Sequence, residues 1–175
     1  MQLRIPGPPD PSRSRRPVLR SPHRHTVAAA PRANSSAPSS PMAAAEVLAL
    51  NSKLLDAIAG GDYETYATLC DPSLTCFEPE AVGHLIEGLD FHKFYFTMPS
   101  AGDASKPPAH VLNTMASPHV RVIGDCCAVV SYVRLTQKMV AGAPVTVQAE
   151  ETRVWEKKDG GRWIHVHVHR SLVPK

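Results

Sequence analysis

An α+β fold, a curved antiparallel sheet wrapped over one long N-terminal helix, is what this 175-residue sequence predicts, from three observations. Val47, Leu50, Leu54 and Ile58, with Leu48 and Leu55 beside them, recur at three and four residues, the period of one helix face. Beyond residue 109 the pattern changes to alternation in β-branched and aromatic residues, the period of half-buried strands. Helices first and strands after point to a sheet packed on a helix.

Residues 1–41 precede this pattern and differ from it in composition. They hold nine of the 17 prolines, seven arginines, no lysine and a single acid, Asp10. The tail therefore carries about +6 and the remainder about −3, so the formal charge of the whole hides a mildly acidic domain and nucleic acid is not its predicted partner. A run such as PSRSRRPVLRSPHRH presents no continuous apolar face, and disorder is expected. Three readings stay open for it: an organelle transit peptide, a plain flexible tail, or an extension ahead of a true start at Met42. Residues 42–175 form the predicted domain. It is expected inside the cell, in the cytoplasm unless the tail addresses a chloroplast or mitochondrion.

Helix 43–59 ends at Gly60-Gly61. Asp62 is placed to cap a short second helix, DYETYATLC, which Asp71-Pro72 stops. Leu74 to Phe77 reads as a strand and Glu78-Pro79-Glu80 as a turn, before a helix from Leu89 to Phe96 with Phe91, Phe94 and Tyr95 on its packing side. His92, inside that aromatic cluster, reads first as a core histidine, and Asp90 as a cap. Residues 97–109 are a loop by composition. Strands follow over 110–124 and 126–140, joined at Gly124-Asp125, and then over 145–155 and 163–170 across the turn chemistry of Asp159-Gly160-Gly161. No apolar run reaches the length of a membrane span.

Strand periodicity sorts the side chains. Val145, Val147, Ala149, Glu151, Arg153 and Trp155 share one face of their strand; Ala128, Val130, Tyr132, Arg134 and Thr136 share another. In the last strand Ile164, Val166, Val168 and Arg170 are expected opposite Trp163, His165, His167 and His169. Arg134, Arg153 and Arg170 thus lie on apolar or mixed faces, where each needs a carboxylate, carbonyls or a bound anion. A structural ion pair such as Arg153 with Glu151 is the plain reading, and a pocket for an acidic ligand the sharper one. Two histidines of the H-x-H-x-H array could help hold a transition metal, but no third ligand is evident nearby. Cys70, Cys76, Cys126 and Cys127 lack a zinc or disulfide spacing and read as reduced thiols.

Three ordered stretches, CDPSLTCFEPEAVGHLIEGLDFHKFYF, PHVRVIGDCCAVVSYVRLTQ and EETRVWEKKDGGRWIHVHVHRS, together resemble the association, or hub, domain of calcium/calmodulin-dependent protein kinase II, from about Leu50 to Ser171. The resemblance implies a nuclear transport factor 2-like fold, a cone of curved sheet and helices enclosing a pocket, and subunits that dimerise and build stacked rings holding kinase domains. It implies that Arg134, Arg153 and Arg170 line the pocket with His92 at its rim, and it implies no metal and no cofactor. Lys93 stands where the family's FHRFYF has an arginine, which removes any bidentate contact there. The 175 residues show no Gly-rich phosphate loop ahead of a lysine strand, no HRD and no DFG, and no basic amphipathic calmodulin-binding helix. The expected role is a non-catalytic homo-oligomerisation scaffold that serves kinase or other subunits in trans, with a pocket for a small carboxylate. The alternative is a small-molecule enzyme, isomerase- or dehydratase-like, with His92 or Asp90 as general base.

Overall fold

The structure is a computed structural model that describes residues 41–97, 111–158 and 160–173. The tail 1–40 and nearly all of the 97–109 loop lie outside the described residues. Helix α1 spans Pro41–Gly60 and α2 spans Tyr63–Leu69. Strand β1 (Cys70–Phe77), a 3-10 turn (Pro79–Ala81), the short β2 (Ile86–Glu87) and α3 (Asp90–Thr97) follow. The long strands are β3 (Val111–Ile123), β4 (Cys127–Val140), β5 (Ala143–Lys157) and β6 (Trp163–Leu172).

The α+β class holds, with six strands among the described residues in the order β2-β1-β6-β5-β4-β3. One pairing departs from the all-antiparallel expectation: β1 and β6 run parallel. β3 to β6 form an antiparallel meander. After three reversals β6 arrives beside β1 pointing the same way, with everything between them serving as the crossover that a parallel pair requires. Edge strand β3 accommodates Pro118 because its register shifts between Ala116 and His119, with Ser117 at a φ of 50°.

Helix α1 lies against β3 and β4 and closes the main core. Val47, Leu54 and Leu55 pack there with Leu74, Ala128, Val130, Trp155 and Trp163. Leu48, Leu50 and Ile58, the remaining predicted stripe residues, are half-buried. Asn51 interrupts the apolar stripe yet is fully buried. Its side chain accepts from Trp155 Nε1 at 3.3 Å and donates to Met115 Sδ at 3.1 Å, so the helix is pinned to β5 and β3 through one amide. Asp62 caps α2 as expected, accepting from the Thr65 amide at 2.9 Å.

Two face assignments are corrected. The register between β5 and β6 slips where Val154 faces His167 but Trp155 faces His165, so Val166 is an extra residue in β6. A bulge of this kind reverses side-chain parity along one strand. Trp163, Ile164 and His165 are therefore all buried, Val168 is buried beyond the bulge, and the three histidines do not form one array. His165 is fully buried, His167 is half-buried beside Thr75, and His169 is exposed. In α3 the packed residues are His92 and Phe96, not Phe91, Phe94 and Tyr95, which are all exposed in the single chain. Lys93, the position that departs from the family motif, sets its ammonium 5.5 Å from the centre of the Tyr63 ring.

Candidate functional site

The register of β4, β5 and β6 builds one wall of a cavity. Tyr132 stands opposite Glu151, Arg134 opposite Ala149 and Arg153 opposite Val168, while Val168 in turn faces Cys76 of β1. Glu151, 2% exposed, is the hub of a polar network in this wall. Its Oε2 accepts from Arg153 Nε at 3.0 Å and Nη2 at 2.9 Å, and from the Tyr132 hydroxyl at 2.5 Å. Its Oε1 accepts from Arg134 Nη1 at 3.1 Å. Arg134 Nε also donates to Asn113 Oδ1 at 3.0 Å, and Arg153 Nε to the Tyr132 oxygen at 2.9 Å. One carboxylate thus serves two guanidiniums. Burial alone would raise its pKa, but the charges of Arg153 and Arg134 and the hydrogen bond from Tyr132 outweigh that and hold Glu151 at about 2.

Arg170 leaves this network and pairs with Glu78 Oε2 at 3.2 Å and with Glu80 on the 3-10 turn. Burial opposes charge on both partners, yet the pairing lowers the Glu80 pKa and raises that of Arg170. Glu78 Oε1 accepts from the Tyr95 hydroxyl at 3.0 Å. His92 sits deeper, with Nδ1 at 2.7 Å from the Tyr66 hydroxyl. Burial, with Arg153 adding to it and Glu78 opposing, pushes its pKa below the usual histidine value.

Arg134, Arg153, Arg170 and His92 all line one cavity of about 480 Å³. All four residues named from the sequence therefore meet, with one correction. His92 is 5% exposed and belongs to the buried wall rather than to a rim. The ion pair of Arg153 with Glu151, the plain reading of that arginine, is present beside the cavity. Glu78, Glu80 and Lys138 were missed as cavity residues, and so was Cys76. Glu78 and Glu80 read as plain turn residues, and nothing local indicates that a chain reversal returns them to β6. Asp90, the other candidate base, is exposed and outside the cavity lining.

A mixed sheet under a long N-terminal helix, holding a cavity between α3 and the last strands, defines the nuclear transport factor 2-like fold. A solved protein of that name from Cytophaga hutchinsonii, 20% identical, superposes with a TM-score of 0.56 over 74% of this chain and 97% of its own. Within that fold the family is specific: residues 43–174 match the calcium/calmodulin dependent protein kinase II association domain, and the chain belongs to that family. The structure of the calcium/calmodulin-dependent protein kinase II hub homology domain of Chlamydomonas reinhardtii is 80% identical, with a TM-score of 0.71, over 75% of this chain and 98% of that one. The delta subunit of the type II kinase of Oryctolagus cuniculus is 48% identical over 130 residues, 74% of this chain. Those residues are only 24% of the rabbit protein's length. The match is to an association domain and not to a kinase domain.

Proposed function

We propose that this chain is a homo-oligomerisation scaffold that assembles into rings and holds partner subunits, and that its cavity binds a small monocarboxylate. Membership of an association-domain family carries the first half. The distribution of exposed apolar side chains supports it. Val82, Leu85, Phe91 and Phe94 cluster in sequence around β2, and Leu112, Ile123, Met139 and Val140 lie on β3 and the end of β4. β2 and β3 are opposite edges of the sheet. Two different apolar edges suit head-to-tail contacts, which close into a ring when the rotation allows.

Charge supports the second half. The cavity collects Arg134, Arg153, Arg170 and Lys138 against Glu78, Glu80 and Glu151, which leaves about one positive charge uncompensated. Every carboxylate in this set except Glu151 is held by Arg170, and Glu151 is held by the other two arginines. Among the described residues each of these carboxylates is paired with an arginine, which supports holding an anion over transforming it.

Native mass spectrometry of the purified chain tests the scaffold: the expected result is an assembly far larger than a dimer. A monomer or dimer at micromolar concentration overturns it. Titrating acetate or a longer monocarboxylate is expected to raise Tm by ligand linkage, and Arg170→Ala to abolish the rise while leaving the assembly intact. A Tm indifferent to every acid at millimolar concentration overturns the ligand half alone.

A further inference from the structure

The cavity holds a second constellation, which shares only Glu78 with the arginine pairs. Cys76 Sγ, a carboxylate oxygen of Glu78 and a ring nitrogen of His92 all lie within 4.8 Å of one another. Local structure explains the grouping. β1 is extended through Phe77, and Glu78 continues it with φ −146° and ψ 156°, so Cys76 and Glu78 fall on the same side of the chain. His92 projects from α3 onto that side as the buried residue of its helix.

We propose that Cys76, Glu78 and His92 bind one zinc ion, with the fourth coordination position open to the cavity. A thiolate, an imidazole and a carboxylate are the donors zinc takes, and three protein ligands with one open position is a recurrent zinc arrangement. Ligand atoms around a tetrahedral zinc stand about 3.5 Å apart, given bonds of about 2.0 to 2.3 Å. Ligand atoms within 4.8 Å of one another therefore have to close by about 1 Å around the ion.

The surroundings supply outer partners of the kind zinc ligands have. Tyr66 occupies His92 Nδ1, which leaves Nε2 as the nitrogen for the ion and fixes the ring. Glu78 is oriented by the Tyr95 hydroxyl and by Arg170. Glu80 still pairs with Arg170 when Glu78 turns to the ion, and Glu151 is shared by Arg153 and Arg134. Among the described residues Cys76 Sγ has no hydrogen-bond partner, and it is 1% exposed on the cavity wall. A bound ion would tie α3 to β1. The site shares Glu78 with Arg170 and lies in the same cavity as the carboxylate reading, but metal binding and not a carboxylate titration tests it.

Cobalt and zinc salts added to the metal-stripped full chain test it. The expected result is a thiolate-to-cobalt charge-transfer band in the near ultraviolet, with tetrahedral d–d absorption in the visible, saturating at one ion per chain and bleached by zinc. Cys76→Ala should abolish the band and weaken zinc binding at least about 100-fold, the upper end of what loss of a mere supporting partner costs. Cys76→Ser is the second variant should alanine disturb packing, and it too lacks the thiolate band. His92→Gln should weaken binding at least about 10-fold with circular dichroism unchanged. Cys126→Ser with Cys127→Ser, which removes the more exposed thiols, should change nothing. A band that survives Cys76→Ala and Cys76→Ser, a band lost with Cys126 and Cys127, or the absence of any thiolate band in the unaltered chain overturns the proposal.

Discussion

Glu151→Ala is expected to destabilise the fold by about 3–5 kcal/mol, measured by denaturant titration followed through Trp155 and Trp163 fluorescence. The magnitude follows from what is left behind. Arg153 is 3% exposed, and among the described residues its hydrogen bonds apart from Glu151 go to neutral groups, Tyr132 and His165. Removing the carboxylate strands one deeply buried guanidinium and deprives a second, Arg134, of its anion; Asn113 alone would remain to it. A compensating pair tests the cause. Glu151→Leu combined with Arg153→Met removes both buried charges and keeps apolar volume, so it should recover most of the loss. A single-variant cost below about 1 kcal/mol would mean that water reaches Arg153 and that the site is not the dry network described.

The contrast between Arg153 and Arg170 shows how far the sequence reaches. Faces of β4 and β5 follow from period-two alternation, which nothing interrupts there, so Tyr132 falls with Arg134, and Glu151 with Arg153, each on one face of its strand; the pairing between the strands comes from the structure. The partner of Arg153 is two residues away in the chain and is legible for that reason. Arg170 finds Glu78 and Glu80 about 90 residues earlier, through the parallel pairing of β1 with β6, and no local pattern announces a parallel pair. The bulge at Val166 is equally silent, because it costs one residue in a run of alternating His and Val that reads the same in either parity. In α3 the aromatic residues drew the packing side toward themselves, whereas the buried stripe runs through His92 and Phe96. Tyr66 supplies the reason: a hydrogen bond between its hydroxyl and His92 Nδ1 lets a polar ring take the inner position.

Acid should destabilise this domain over two pH ranges. His165 is fully buried, between Cys70 Sγ at 3.5 Å and Arg153 Nη1 at 3.4 Å. Burial and the Arg153 charge hold its pKa well below the usual value, so it stays neutral in the folded chain at a pH where the unfolded chain takes up a proton. Its contribution is therefore intact above the unfolded value of about 6.5 and is lost as pH falls below it, at about 1.4 kcal/mol per pH unit. His92, also shifted down, adds in the same direction. Glu151 acts lower. With a folded pKa of about 2, it stabilises the fold above the unfolded value and loses that contribution only as pH falls toward 2. From an unfolded value of about 4.3 the full loss is about 3 kcal/mol. Denaturation midpoints at pH 7, 6, 5 and 4 should decline steadily, and His165→Gln, which cannot titrate, should flatten the upper part of that decline. If the variant falls with the same slope as the unaltered chain between pH 7 and 5, His165 is not the group responsible, and the proton uptake belongs to His92 or His167, whose pKa values burial also lowers.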